Sequence, residues 1–161
     1  LIVWEAVPLV NKDQIVSLYH HLLMLDNDTD KEKQWIETRQ PSALGLSTIH
    51  FHILSYLERH PNSLAKEIAE DLGILRGTLS KRLAVLERRK MLVAYQDAAD
   101  ARSKHYQLTR LGEDVAKTHD QLLQMKNKML KSHLNQFSES ELETIRQFLK
   151  TFNNAEQHDK Y

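Results

Sequence analysis

The 161-residue chain contains no cysteine, only four glycines and three prolines, and no net charge, with 22 Lys and Arg balancing 22 Asp and Glu. It also lacks any apolar run near the ~18 residues that a membrane-spanning helix needs. Without cysteine there can be no disulfide scaffold, no thiolate zinc site and no thiol catalysis or redox sensing, which points to a reducing compartment. So few glycines and prolines leave little turn chemistry for a many-stranded β fold and favour long helices. Residues 1–10 are apolar but carry neither a basic leader nor a small-residue cleavage site, so the expectation is a soluble, cytoplasmic protein with no membrane contact. The missing net charge argues at first sight against a nucleic-acid binder, which usually has a basic excess.

What is present is helical periodicity. Ile15, Leu18, Leu22 and Leu25 line one face of a first helix over residues 13–25. The stretch Asp26–Gly45 is polar and reads as a solvated helix end or an inserted segment. Ser47 can cap a helix that buries Ile49, Ile53, Leu54 and Leu57 and stops at Pro61-Asn62. Leu64, Ile68 and Leu72 mark a short helix ended by Gly73, and Leu79, Leu83 and Leu86 mark another from about Arg76 to Arg89. Two short helices around a tight turn outline a helix-turn-helix.

The period then shortens to two. Leu92–Gln96 and Lys104–Thr109 read as strands joined by a polar hairpin loop over Asp97–Ser103. A long helix follows from Arg110, and the capping box Ser138-Glu-Ser-Glu141 opens a last helix with Leu142, Ile145, Phe148, Leu149 and Phe152 on its apolar side. The end segments expose more apolar surface than a small winged domain could cover, which predicts that they pair with a second copy. The expected class is mainly α, an α+β winged helix. The expected division is residues 1–44 and 111–161 as N- and C-terminal dimerisation elements around a winged helix-turn-helix domain at 45–110.

Resolved by segment, the neutral charge disappears. Residues 1–44 carry a net −3, residues 45–110 a net +4 and residues 111–161 a net −1, and Arg76–Lys90 alone holds six basic residues against Glu87. With Leu79, Leu83 and Leu86 turned inward, Gly77, Ser80, Lys81, Ala84 and Arg88 face outward. Small residues there allow close approach to a major groove, while Lys, Arg, Ser and Thr supply donors to bases and phosphates. A solvated basic face is the plain alternative for one charged helix; the preceding helix, the turn and the hairpin favour the DNA reading. In the hairpin, Arg102 can enter a minor groove with Asp100 orienting its guanidinium. Lys104, His105 and the helix start at Ser47-Thr48 are further phosphate candidates.

The segments Leu64-Ala-Lys-Glu-Ile-Ala-Glu-Asp-Leu-Gly73, Thr78-Leu-Ser-Lys-Arg-Leu83, Leu86-Glu-Arg-Arg89, Leu92-Val93, Asp97-Ala-Ala-Asp-Ala-Arg102 and Tyr106-Gln-Leu-Thr-Arg-Leu-Gly-Glu113 occur in an order that resembles the MarR family of bacterial winged helix-turn-helix transcription regulators. Phe137-Ser-Glu-Ser-Glu-Leu-Glu143 is similar to that family's last helix. The resemblance implies a homodimer on a pseudo-palindromic duplex DNA operator. It places Arg76, Gly77, Thr78, Ser80 and Lys81 toward the groove with Arg82 beside them, and Arg102 in the minor groove with Asp100 next to it. Two departures stand out: Leu75 where the family commonly has a capping Ser, and Lys90 where it commonly has Gly.

The resemblance further implies a ligand-responsive repressor, released by a small aromatic or anionic effector at a crevice for which Tyr19, Leu23, Phe51, Leu54 and Tyr56 are candidates. No cofactor is expected. His20, His21, His50, His52 and His119 raise the thought of zinc, but no His-x-x-x-His or His-Glu-x-x-His spacing occurs, and ordinary surface or core histidines are the favoured reading. No Gly-rich phosphate loop, Gly-x-Ser-x-Gly or paired carboxylates at a strand end suggest an enzyme. The competing function is a winged-helix module that binds protein rather than DNA.

Overall fold

Helix α3 (Thr48–Arg59) is the hub, because apolar side chains occupy most of its circumference. Phe51, Ile53, Leu54, Tyr56 and Leu57 are all buried. Its start is fixed by Ser47, whose backbone N–H donates to His50 Nδ1 at 2.9 Å, with Ser47 Oγ 2.8 Å from the same nitrogen. That contact leaves the ring proton of the neutral imidazole on Nε2, which is buried and finds no hydrogen-bond partner among the described residues. Burial, helped by the charges of Arg82 and Arg89, lowers the His50 pKa to about 4.

The computed structural model describes residues 11–26, 29–98 and 100–158, with side chains described for all of these except 23–26, 29, 30, 97, 100–102 and 155–158. The apolar stretch at residues 1–10 lies outside them. The described chain divides into two compact units, the first running to His119 and the second starting at Asp120. Before the hub come α1 (Lys12–Asp26), α2 (Thr29–Arg39) and a 3₁₀ turn at Pro41–Ala43. After it come a two-residue strand β1 (Ser63–Leu64), α4 (Ala65–Leu72), α5 (Arg76–Arg88), the hairpin β2 (Leu92–Asp97) and β3 (Asp100–Leu108), then α6 (Arg110–Leu134) and α7 (Glu139–His158). The chain is therefore mainly helical with one three-stranded antiparallel sheet in the order β1-β3-β2.

Helix α4 ends in a Schellman turn. Gly73, at φ +63°, donates to Glu70 O, and Ile74 N–H reaches back to Ala69 O at 2.9 Å. Helix α5 ends the same way without a glycine. Lys90 takes φ +58°, its N–H bonds Glu87 O, and Met91 N–H bonds Leu86 O at 3.0 Å. The departure from glycine therefore falls on the left-handed residue of the turn, which a side chain occupies at a cost of about 1 kcal/mol. The core beneath these turns consists of Ile68, Leu79, Leu83, Leu86, Met91, Leu92 and Val115, all nearly inaccessible.

The structure refines two expectations and adds one element. Of the two readings of Asp26–Gly45, it is an inserted segment rather than a solvated helix end: it contains α2, anchored by buried Ile36, and leads through buried Ala43 to buried Leu46. The hairpin loop is much shorter than Asp97–Ser103, since β3 begins at Asp100 and Asp97 pairs with it. Strand β1, unforeseen, pairs Ser63 with Tyr106 and Leu64 with His105.

Within the second unit, the capping box at the start of α7 forms as expected. Ser138 N–H donates to Glu141 Oε2 at 2.8 Å and Glu141 N–H to Ser138 Oγ at 3.4 Å. Its helices expose Met125, Met129, Leu130, Phe148 and Leu149, and in the first unit α1 exposes Ile15, Leu18 and Leu22. Among the described residues, no helix is long and apolar enough to cross a membrane.

Candidate nucleic-acid interface

Helix α5 presents two chemically different faces because leucine recurs every three or four positions. Leu79, Leu83 and Leu86 are buried, while Arg76, Gly77, Ser80, Lys81 and Arg88 are exposed and Thr78, Arg82 and Ala84 half-buried. The outward side is thus basic and hydroxylated, with a glycine near its tip. Beyond its chain neighbours and the backbone of α5 itself, no described heavy atom lies within 4 Å of where a Gly77 Cβ would stand, so this glycine leaves open space rather than serving internal packing. Leu75, at the N-cap, has extended backbone, makes no side-chain cap and is 80% exposed. The first backbone N–H groups of α5 consequently lack the side-chain acceptor that a Ser would provide, leaving donors and a positive dipole end at the tip of the basic face.

Ser47 and Thr48, at the start of α3, are half-buried, with Ser47 engaged in the His50 cap. In the hairpin, Lys104 is exposed; the backbone of Asp100 and Arg102 lies on β3, and their side chains fall outside the described residues. The middle of the hairpin is tied down by a cluster that sequence reasoning missed. Tyr95 OH and Gln107 Nε2 both donate to Asn62 Oδ1, His105 Nδ1 lies 2.8 Å from Asn62 O, and Tyr95 stacks on His105. Asn62 stands at φ +68°, a conformation Asn tolerates, and its place directly after Pro61 was the available signal.

Not every basic residue of the run faces solvent as a bare cation. Arg89 Nη1 donates to the carbonyls of Leu44 at 2.6 Å and Ser42 at 3.3 Å, across from the end of α5. The crevice candidates also divide. Among those with described side chains, Phe51 is 2% exposed, Leu54 0% and Tyr56 6%, so they serve as core; only Tyr19 offers accessible surface. Tyr56 OH is committed to Asp71 Oδ2 at 2.6 Å. The side chain of Leu23 lies outside the described residues.

The histidines scatter. His20, His21 and His52 are exposed, and His50 is capped against Ser47. His119 sits 2.7 Å from Ser55 Oγ through Nδ1 and meets the His52 ring edge-on at 5.2 Å. Among the described residues, no three His, Cys, Asp or Glu side chains gather as a metal site.

A helix-turn-helix whose second helix has a basic, small-residue outer face, followed by a β-hairpin, is a winged helix-turn-helix, a DNA-binding architecture. The MarR family model matches residues 44–103. The transcriptional regulator AdcR of Streptococcus pyogenes is 30% identical over 117 residues, spanning 69% of this chain and 75% of the relative. The chain belongs to the MarR family and is a DNA-binding transcription regulator. Solved structures agree in fold. The adhesin competence repressor AdcR of S. pyogenes superposes with a TM-score of 0.73 at 21% identity, covering 90% of this chain and 97% of that one. FabT of Streptococcus pneumoniae in complex with DNA gives 0.69 at 18%, covering 91% and 98%. ZitR of Lactococcus lactis, described as zinc-responsive, gives 0.62 at 25%, covering 69% and 76%.

Proposed function

We propose that this regulator acts as a homodimeric, ligand-responsive repressor. In this reading each copy sets α5 into the major groove of one half of a pseudo-palindromic operator and its hairpin into the adjoining minor groove. The observation that carries it is the outer face of α5, where Arg76, Gly77, Ser80 and Lys81 are exposed, flanked by half-buried Thr78 and Arg82, opposite a buried leucine stripe. Arg102, oriented by Asp100, is the minor-groove reader, and Lys104, Ser47 and Thr48 meet phosphates. Exposed Leu18 and Leu22 of α1 and Phe148 and Leu149 of α7 supply the apolar area for pairing two copies.

Among the described residues, the His52–His119 contact supplies two imidazoles, one engaged through Nδ1 with Ser55, where a zinc site takes four donors or three with an open position. The proposed effector is a small aromatic or anionic compound, with Tyr19 the accessible candidate to receive it.

Duplex binding across a salt series tests the DNA geometry. Each phosphate contact contributes about −0.9 to the log–log slope, so a grip through both helix and wing gives a steep slope. Lys81→Ala and Arg76→Ala should each lose about 1–3 kcal/mol on the selected operator and relax its sequence preference. A slope near zero would sink the reading. Arg102→Ala should weaken operators with narrow A·T minor grooves most; equal affinity for all sequences would remove its assigned role. Benzoate, as the effector probe, should raise the DNA dissociation constant, and indifference to it and to other aromatic carboxylates would remove the ligand-responsive part.

A further inference from the structure

The strongest unassigned feature is the contact of Arg89 with the turn that follows α2. In that turn Gln40 O, Pro41 O and Ala43 O accept backbone N–H groups, and the carbonyls of Ser42 and Leu44 instead receive Arg89 Nη1. On the other side of the turn, Glu37 Oε1 accepts the Gly45 N–H at 3.0 Å. Gly45, at φ +77°, then swings the chain into buried Leu46 and the start of α3. A continuous path of hydrogen bonds therefore runs from α2 through this turn to the C-terminal end of α5, and the same turn delivers Ser47 and Thr48.

We propose that Arg89 is a positioning residue for DNA binding, clamping the end of the recognition helix to the turn after α2 so that α5 and the start of α3 are presented to DNA as one rigid pair. The proposal rests on the reading that α5 enters the groove. It assigns a role to the α2 segment, that of a tether whose integrity sets the tilt of the recognition helix. It also separates Arg89 from its basic neighbours. Both bonds leave one nitrogen, Nη1, at the end of a side chain one bond longer than lysine, so a lysine ammonium stops short of the two carbonyls, whereas a phosphate contact depends mainly on charge.

The test uses the full chain and a duplex that the wild-type chain selects from a random-sequence pool. Affinity, its salt slope and the amide exchange of residues 42–46 are measured on the same samples, below their urea midpoints. Arg89→Gln should weaken binding about threefold to tenfold, the size of one or two exposed hydrogen bonds, with the salt slope unchanged and exchange at Leu44 to Leu46 faster. Arg89→Lys, although charge is kept, should be weakened in the same direction. Gly45→Ala keeps every charge and meets Arg89 Nη2 at an ordinary 3.5 Å, so it strains the turn through its φ alone and should also weaken binding without altering the slope. A slope reduced by about 0.9 with affinity restored by Lys would make Arg89 a phosphate contact and overturn the proposal. Unchanged affinity, or unchanged exchange, would overturn it as well. Failure of the wild-type chain to select any duplex, or unaltered binding by Lys81→Ala, would instead bring down the groove reading on which the clamp depends.

Discussion

Replacing Gly112 by alanine would place a methyl group 1.9 Å from Met91 O, 2.9 Å from Met91 C and 3.3 Å from Leu108 Cδ2. A carbon cannot stand so close to a carbonyl oxygen, so α6 and the Met91 peptide must separate by roughly 1 Å or more. Neither side can yield cheaply. Met91 O accepts the Thr109 N–H at 3.0 Å, Met91 N–H bonds Leu86 O, Thr109 Oγ1 donates to Lys90 O at 2.6 Å, and the Met91 side chain is buried. Overpacking costs about 1–3 kcal/mol, and separating the Thr109–Met91 bond at this half-buried junction costs about 1–3 kcal/mol more. Against this stands a gain of up to about 1 kcal/mol for alanine over glycine in a helix. The expected net loss is about 1–6 kcal/mol, centred near 3, read as a lower urea midpoint by far-ultraviolet circular dichroism at matched protein concentration. A midpoint equal to or above that of the wild type would refute the close-approach argument, because Gly112 would then behave as an ordinary helical glycine.

Three other outcomes follow from local geometry. Gly77→Ala should gain about 0.5–1 kcal/mol of stability, since its Cβ meets open space, yet bind operator DNA more weakly; a stable variant with full affinity would show that the backbone of α5 does not approach the groove at that point. Lys90→Gly should stabilise by about 1 kcal/mol by relieving a left-handed residue at φ +58°, and a decreased thermal midpoint would contradict this. His50 titrates near 4 in the folded chain against 6.5 when exposed, so the unfolded chain takes up the proton first. That contribution is intact above about pH 6.5 and is lost as pH falls toward 4, on the order of 3 kcal/mol in all; His50→Gln, which keeps an acceptor for Ser47 N–H, should flatten the slope of stability in that window.

The parts of the fold that were legible are those where burial repeats along the chain. Leu79, Leu83 and Leu86 announce α5 and, by exclusion, its outer face; Gly73 announces the end of α4. Helix α2 was hidden because its two apolar residues, Trp35 and deeply buried Ile36, are adjacent in an otherwise polar segment, and a single adjacent pair has no helical period. The hairpin extends past its apolar alternation because backbone pairing continues to Asp97 and Asp100, where side chains carry no packing signal. Strand β1 is two residues long, too short for any alternation to register. Arg89 was read as part of a basic run because charge is visible in sequence and the carbonyls it caps, 45 and 47 positions away, are not. The crevice candidates illustrate the opposite limit: apolar spacing finds buried residues on α3 but does not say whether they line a cavity or fill a core.

The junction of Met91 and Thr109 has one more consequence. A backbone hydrogen bond and the Thr109 hydroxyl close the hairpin at its root, while Tyr95, His105 and Gln107 fasten its middle to Asn62. The hairpin is thus a flap with a welded root and a separately latched shaft. Loss of either attachment therefore leaves the other holding the hairpin to the rest of the first unit.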